Sequence, residues 1–175
     1  VIVDKAKKKD WERYKVAADA INYTKGGDVK EAISWYKIAK ERNANDANIL
    51  VALGDALLKE NTGASNGEAV DNFEQAIKLN QVNSLAYARK GLIWLQARQY
   101  VQALEDYNKA KEADAQNPLT YRDLANVYYF NGKYDLAKQN IEEYLKLSDK
   151  SVNDQLKYGN ILFLSKNYAE AETKY

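Results

Sequence analysis

The sequence predicts an all-α solenoid, a row of stacked helix pairs, and three observations predict it. The first is a period. Gly91 and Ala125, Trp94 and Tyr128, Tyr100 and Tyr134, Ala103 and Ala137, and Tyr107 and Ile141 each lie 34 residues apart. A fixed spacing of a few tens of residues is the mark of a repeat array. The second is apolar spacing inside each period. Leu50, Leu53 and Leu57 follow the i, i+3, i+7 rhythm of one helix face, and so do Tyr121, Leu124 and Tyr128. The third is composition: one proline, Pro118, in 175 residues, with much Ala, Leu, Lys and Glu, all good helix formers.

The period sets repeats at 13–46, 47–83, 84–117 and 118–151, with a partial fifth at 152–175. Residues 1–12 are then an N-terminal helical extension or the end of an upstream segment. The chain has no methionine and reads as a piece of a longer protein. Within each repeat the eighth position is small (Ala20, Gly54, Gly91, Ala125, Gly159), and so is the twentieth (Ala32, Ala69, Ala103, Ala137, Ala171). The twenty-fourth is bulky in Tyr36, Phe73, Tyr107, Ile141 and Tyr175. Small side chains let two helices approach, and large ones fill the space beside them.

The break after each first helix is expected at Gly26-Gly27, Gly63 and Asn131-Gly132, residues that tolerate positive φ. The second helices are expected to open on capping boxes, Asp28 with Glu31, Ser65 with Glu68, and Asn167 with Glu170. Pro118 suits the first position of a helix, where its missing N–H costs nothing. The second repeat carries three extra residues within 61–67. A longer mobile turn is the expectation there, since loops absorb insertions cheaply; a binding loop at one edge is the alternative.

Charge and chemistry narrow the function. With 26 basic and 25 acidic side chains, the basic excess of a nucleic-acid binder is missing. No run of about 18 apolar residues is present to span a membrane. A soluble chain, cytoplasmic or periplasmic, is the expectation, with no targeting signal in view. Neither cysteine nor histidine occurs, which removes thiol nucleophiles, Cys/His metal sites and the usual general base. No phosphate-cradling glycine loop or nucleophile elbow appears either. No catalysis, cofactor or metal is expected.

The set Gly91, Trp94, Tyr100, Ala103, Tyr107 and Ala110 resembles the tetratricopeptide repeat, and the likeness runs over residues 13–175. Two features depart from that pattern. The proline usual near a repeat's end is replaced by Ala44, Gln81, Ala115 and Asp149, and Tyr144 stands where Ala39, Ala76 and Ala110 are small. The resemblance implies antiparallel helix pairs stacked into a right-handed superhelix, first helices lining a concave groove. It implies a protein–protein interaction scaffold that binds a peptide or partner segment there. On the family's groove positions lie Arg89, Leu92, Arg122, Asn126, Tyr129, Lys157, Asn160 and Phe163. This mixture of cation, amide and aromatic suits a protein or peptide with apolar anchors and a carboxylate. A two-carboxylate clamp used by some members is matched only by Arg122 and Asn126, with Lys157 where asparagine belongs. The alternative role is structural assembly, with self-association through exposed end repeats or the convex face.

Three further expectations concern single features. Tyr100, Tyr134 and Tyr168 recur at the seventeenth position; inter-repeat core with each hydroxyl on a polar partner is favoured over a stacking platform. Lys5, Lys7, Lys8 and Lys9 read as a solvated helix start. Trp35 stands where other repeats have Asn72, Asp106, Asn140 and Lys174. An indole at a solvent-facing position needs cover, and residues 1–12, especially Ile2, Val3 or Trp11, or else an upstream segment, are expected to supply it.

Overall fold

The computed structural model describes residues 10–148 and 151–174. Among them are ten α-helices and no strand: α1 (Trp11–Tyr23), α2 (Val29–Arg42), α3 (Ala47–Glu60), α4 (Gly63–Leu79), α5 (Ser84–Gln96), α6 (Tyr100–Ala113), α7 (Pro118–Phe130), α8 (Tyr134–Leu147), α9 (Val152–Leu164) and α10 (Tyr168–Glu172). They divide into two compact units, one up to Ala86 and one from Tyr87 on.

In the first unit α3 packs against both α2 and α4, and α1 against α2. Apolar sequence explains why α3 is central. Ile49, Leu50, Leu53, Ala56 and Leu57 are all buried on it, and each large side chain so enclosed stabilises the fold by roughly 1.5–3 kcal/mol. The expected pairing of a small eighth position with a bulky twenty-fourth is present. Phe73 is fully buried, and a Cβ placed on Gly54 would lie 2.5 Å from its ring. The glycine is what lets α3 and α4 come this close.

The first helix is out of step. Ala20 is exposed, whereas Ala18 is fully buried. Helices α3, α5, α7 and α9 begin at the first repeat position, but α1 begins at Trp11, two residues ahead of Arg13. Residues 24–28 form a correspondingly longer turn, with Gly26 at φ 81°. The second unit pairs α6 with α7, α7 with α8, α8 with α9, and α9 with α10. A Cβ on Gly91 would lie 2.9 Å from the buried Tyr107 ring. Tyr144 is accommodated within the cluster holding Ile141, Tyr158 and Ile161, and its hydroxyl donates to Asp154 Oδ2 at 3.0 Å.

Several local expectations need correction. Residues 61–67 are not a mobile turn. Helix α4 has 17 residues where α2, α6 and α8 have 14, so the three inserted residues are helical. Gly63 is the first residue of that helix, and the left-handed position is Asn61 at φ 56°. The capping box is Thr62 with Ser65, which exchange N–H bonds of 3.1 and 2.8 Å, in place of Ser65 with Glu68. Asp28 does cap α2, accepting from the N–H groups of Lys30 and Glu31. Asn167 makes no side-chain cap bond, while Ser151 and Asp154 form a box that opens α9.

Helices α5, α7 and α9 end alike. Gln99, Lys133 and Asn167 donate to the carbonyls of Trp94, Tyr128 and Leu162, while Arg98, Gly132 and Lys166 donate to Leu95, Tyr129 and Phe163. This double closure needs a left-handed residue, and it is Arg98 (φ 58°), Gly132 (φ 71°) and Lys166 (φ 64°).

Position 23 is not solvent-facing. Asn72 and Asp106 are buried. Asn72 donates to the Glu68 carbonyl at 2.7 Å and accepts from Lys40 at 2.9 Å. Asp106 accepts from Trp94 Nε1 at 3.0 Å. Trp35 at that position is half-buried. Its cover is Tyr14, stacked at 5.5 Å and 23°, with Arg42 over the Tyr14 ring at 4.8 Å. Ile2, Val3 and the lysines at 5 and 7–9 lie outside the described residues.

Candidate functional site

The cations singled out on first helices gather in the second unit. Arg89 stands on α5, Arg122 and Asp123 on α7, and Lys157 on α9, each half-buried. Arg122 brings Nε and Nη2 to 3.0 and 2.9 Å from Asp123 Oδ1. Burial pushes the Asp123 carboxyl above its ordinary range, and Arg122, Lys157 and Arg89 all pull it back. Lys157 is held below the usual lysine range, first by burial and then by repulsion from Arg122; Asp123 and Asp154 oppose this. Tyr107 of α6 is fully buried. Burial, then the Asp123 charge, resists its ionisation, while Arg122 and Arg89 favour it. Arg89, Arg122 and Lys157 therefore share the field of one carboxylate, with the Tyr107 hydroxyl in the same field. The arrangement holds more positive than negative charge and suits an oxyanion.

An apolar cavity lies further along α5. Leu92, Leu95 and Gln96 line it together with Arg98, Tyr100 and Phe130, around a volume of 490 Å³. Arg89 and Gln96 are seven residues apart on one helix, about 10 Å along its axis at ~1.5 Å per residue. Phe130 is 61% exposed, so its ring forms a wall open to solvent. A second cavity of 480 Å³ is lined by residues 132–136 and 164–166.

The aromatic residues divide by role. Tyr129 meets Phe130 edge-on at 5.4 Å and Tyr134 at 6.0 Å. It also packs on the core of its unit, so it supports the Phe130 wall. Phe163 meets Tyr168 edge-on at 5.3 Å and stays 55% exposed. The tyrosine stripe is therefore not uniform core. Tyr100 is partly buried against its cluster, Tyr134 is half-buried, and Tyr168 is exposed. Asn126 is half-buried and Asn160 exposed on the same first helices.

Leu95, Gln96, Asp123 and Phe130 join the site on the same helices as the groove residues singled out from the sequence. Sequence reasoning passed over Arg98 as a site residue and weighed Tyr100 only as inter-repeat core or a stacking platform. Arg98 lines the cavity because the left-handed turn places it there, and no residue type announces that. Asp123 carried a readable signal, a lone acid beside Arg122.

Among the described residues, no helix is long and apolar enough to cross a membrane. Comparison with solved structures places the chain among helical repeat proteins. It superposes on MamA 41-end from Desulfovibrio magneticus RS-1 with TM-score 0.78, 19% identity, and coverage of 94% of this chain and 90% of that one. For Pseudomonas aeruginosa pilF the TM-score is 0.81 at 19% identity, covering 97% and 75%. For a thermophilic TPR protein of Thermus thermophilus it is 0.70 at 18% identity, covering 96% and 88%. At these identities the likeness is one of fold. A curated relative, the probable UDP-N-acetylglucosamine–peptide N-acetylglucosaminyltransferase SPINDLY of Solanum lycopersicum, is 30% identical over 84 residues. That match takes in 48% of this chain and 9% of the transferase, so the chain spans a small part of that protein's length. A family profile matches residues 51–118 and 122–175, more than half of the chain, and the chain belongs to the tetratricopeptide repeat family.

Proposed function

We propose that the chain is a non-catalytic protein-interaction module whose second unit captures a partner segment on the face formed by α5, α7 and α9. An acidic side chain of the partner pairs with Arg89, Arg122 and Lys157. An apolar side chain enters the cavity of Leu92, Leu95 and Phe130. Asn126 and Asn160 offer hydrogen bonds to the segment's backbone, and Phe163 an apolar contact. One observation carries this reading: Arg122 holds Asp123 by two contacts to one oxygen on the first helix between those bearing Arg89 and Lys157, and an apolar cavity lies further along α5. Charge and apolar anchor together fix both the register and the direction of a bound chain.

The test is charge reversal at two of the cations in the full chain, R122E with K157E. Expected is loss of partner capture from an extract of the source cell, with helical circular dichroism unchanged. Undiminished capture by the folded double variant counts against the groove.

A further inference from the structure

We infer that Asp123 is the resident counter-ion of the groove, the group that a partner's carboxylate must displace from Arg122. This rests on the interaction reading above and adds to it what sets the affinity of the site.

Arg122 and Asp123 are neighbours in sequence, and successive side chains leave a helix about 100° apart, so they do not normally face each other. Here the guanidinium turns sideways and places both Nε and Nη2 on one oxygen, Asp123 Oδ1, at 3.0 and 2.9 Å. That edge is one of the two with which a guanidinium grips a carboxylate in a fork. The arginine is therefore engaged with the chain's own acid.

A second observation is independent of that ion pair. The Tyr107 hydroxyl is buried and makes no hydrogen bond among the described residues. Burial of an unsatisfied hydroxyl opposes folding, yet this one lies where Asp123, Arg122 and Arg89 all act on it. It is a buried, unpaired donor within the field of the cation cluster.

Charge supports displacement over addition. Asp154, the other acid near Arg122 and Lys157, is already held by the hydroxyls of Ser151 and Tyr144 at 2.6 and 3.0 Å. Asp123 is thus the acid that exchanges. When the partner takes Arg122, Asp123 is left to Lys157 and Arg89, which already attract it.

The experiment titrates the full chain with sodium acetate and, separately, inorganic phosphate at constant ionic strength. Backbone amide shifts on α5, α7 and α9 report binding. D123N removes the resident charge while keeping the shape. It is expected to tighten acetate binding by on the order of tenfold, the effect of deleting one nearby like charge in a partly screened site. D123S should tighten binding too, and serves if D123N alters helical circular dichroism. R122A should abolish the shifts. Acetate binding in D123N and D123S no tighter than in wild type, with R122A still abolishing it, overturns the resident-ion inference and leaves the groove reading standing. Binding of phosphate without acetate overturns the carboxylate assignment in favour of a phosphorylated side chain. No localised shifts in any variant overturn the inference outright, and the capture assay then judges the groove by itself.

Discussion

Replacing Gly54 by alanine tests the feature on which the helix pairing rests. In an exposed helix the change is favourable, because alanine is about 1 kcal/mol better than glycine. At Gly54 the new methyl would lie 2.5 Å from Phe73 Cε1 and 2.6 Å from Cζ, against roughly 3.5–4.0 Å for relaxed carbon contacts. The ring or the helix must move by about 1 Å. Phe73 is fully buried, so such a shift disturbs close-packed neighbours. Overpacking of this kind costs about 1–3 kcal/mol, and an enclosed ring puts the cost near 3. Subtracting the helix gain leaves G54A about 2 kcal/mol less stable than wild type. Urea unfolding followed by far-UV circular dichroism reads the difference. G67A is the control: Gly67 is on α4, exposed, and a Cβ there meets nothing within 4 Å, so that variant should be about 0.5–1 kcal/mol more stable. G54A with F73L should recover part of the loss, since a smaller side chain makes room. A G54A protein as stable as wild type, or more so, would refute the close approach of α3 to α4.

Two further outcomes follow from buried polar groups and from Trp35. Burial outweighs the pull of Lys90 and Trp94 and raises the Asp106 pKa. The folded state thus holds this proton more tightly than the unfolded state, and the group's contribution to stability falls as pH rises from the ordinary value near 3.9 through the raised one. D106N keeps an acceptor for Trp94 and removes the titration. Its stability relative to wild type should be most favourable at neutral pH and decline on acidification; a difference constant with pH would contradict the assignment. Y14A should remove the ring stacked on Trp35 and cost about 1 kcal/mol, with faster solvent exchange of the Trp35 indole N–H. An unchanged exchange rate would show that Tyr14 is not the cover.

Repeat arithmetic together with the tetratricopeptide resemblance put Arg89, Arg122 and Lys157 on three successive first helices, at the sixth, fifth and sixth repeat positions. The same arithmetic could not find the cavity lined by Arg98 and Tyr100. Those residues belong to a turn whose conformation depends on a left-handed backbone that arginine adopts at a cost of about 1–2 kcal/mol. It also misjudged position 23, where polarity suggested water. Asn72 and Asp106 are polar because they lie buried between helices with donors to satisfy.

The sequence by itself determined that the chain is helical, and that the small Gly54 and Gly91 face the large Phe73 and Tyr107. Those properties follow from periodicity and side-chain size, which are local and repeat. Only the tertiary structure decided that the three inserted residues of the second repeat lengthen α4, that α1 slips by two, and that Asp123 sits among the cations. Each of these depends on which competing contact has the lower free energy once neighbouring helices are packed. The order of residues shows Asp123 only as an acid beside Arg122; the capping bond at Thr62, the longer turn before Asp28 and the sideways arginine are settled by packing.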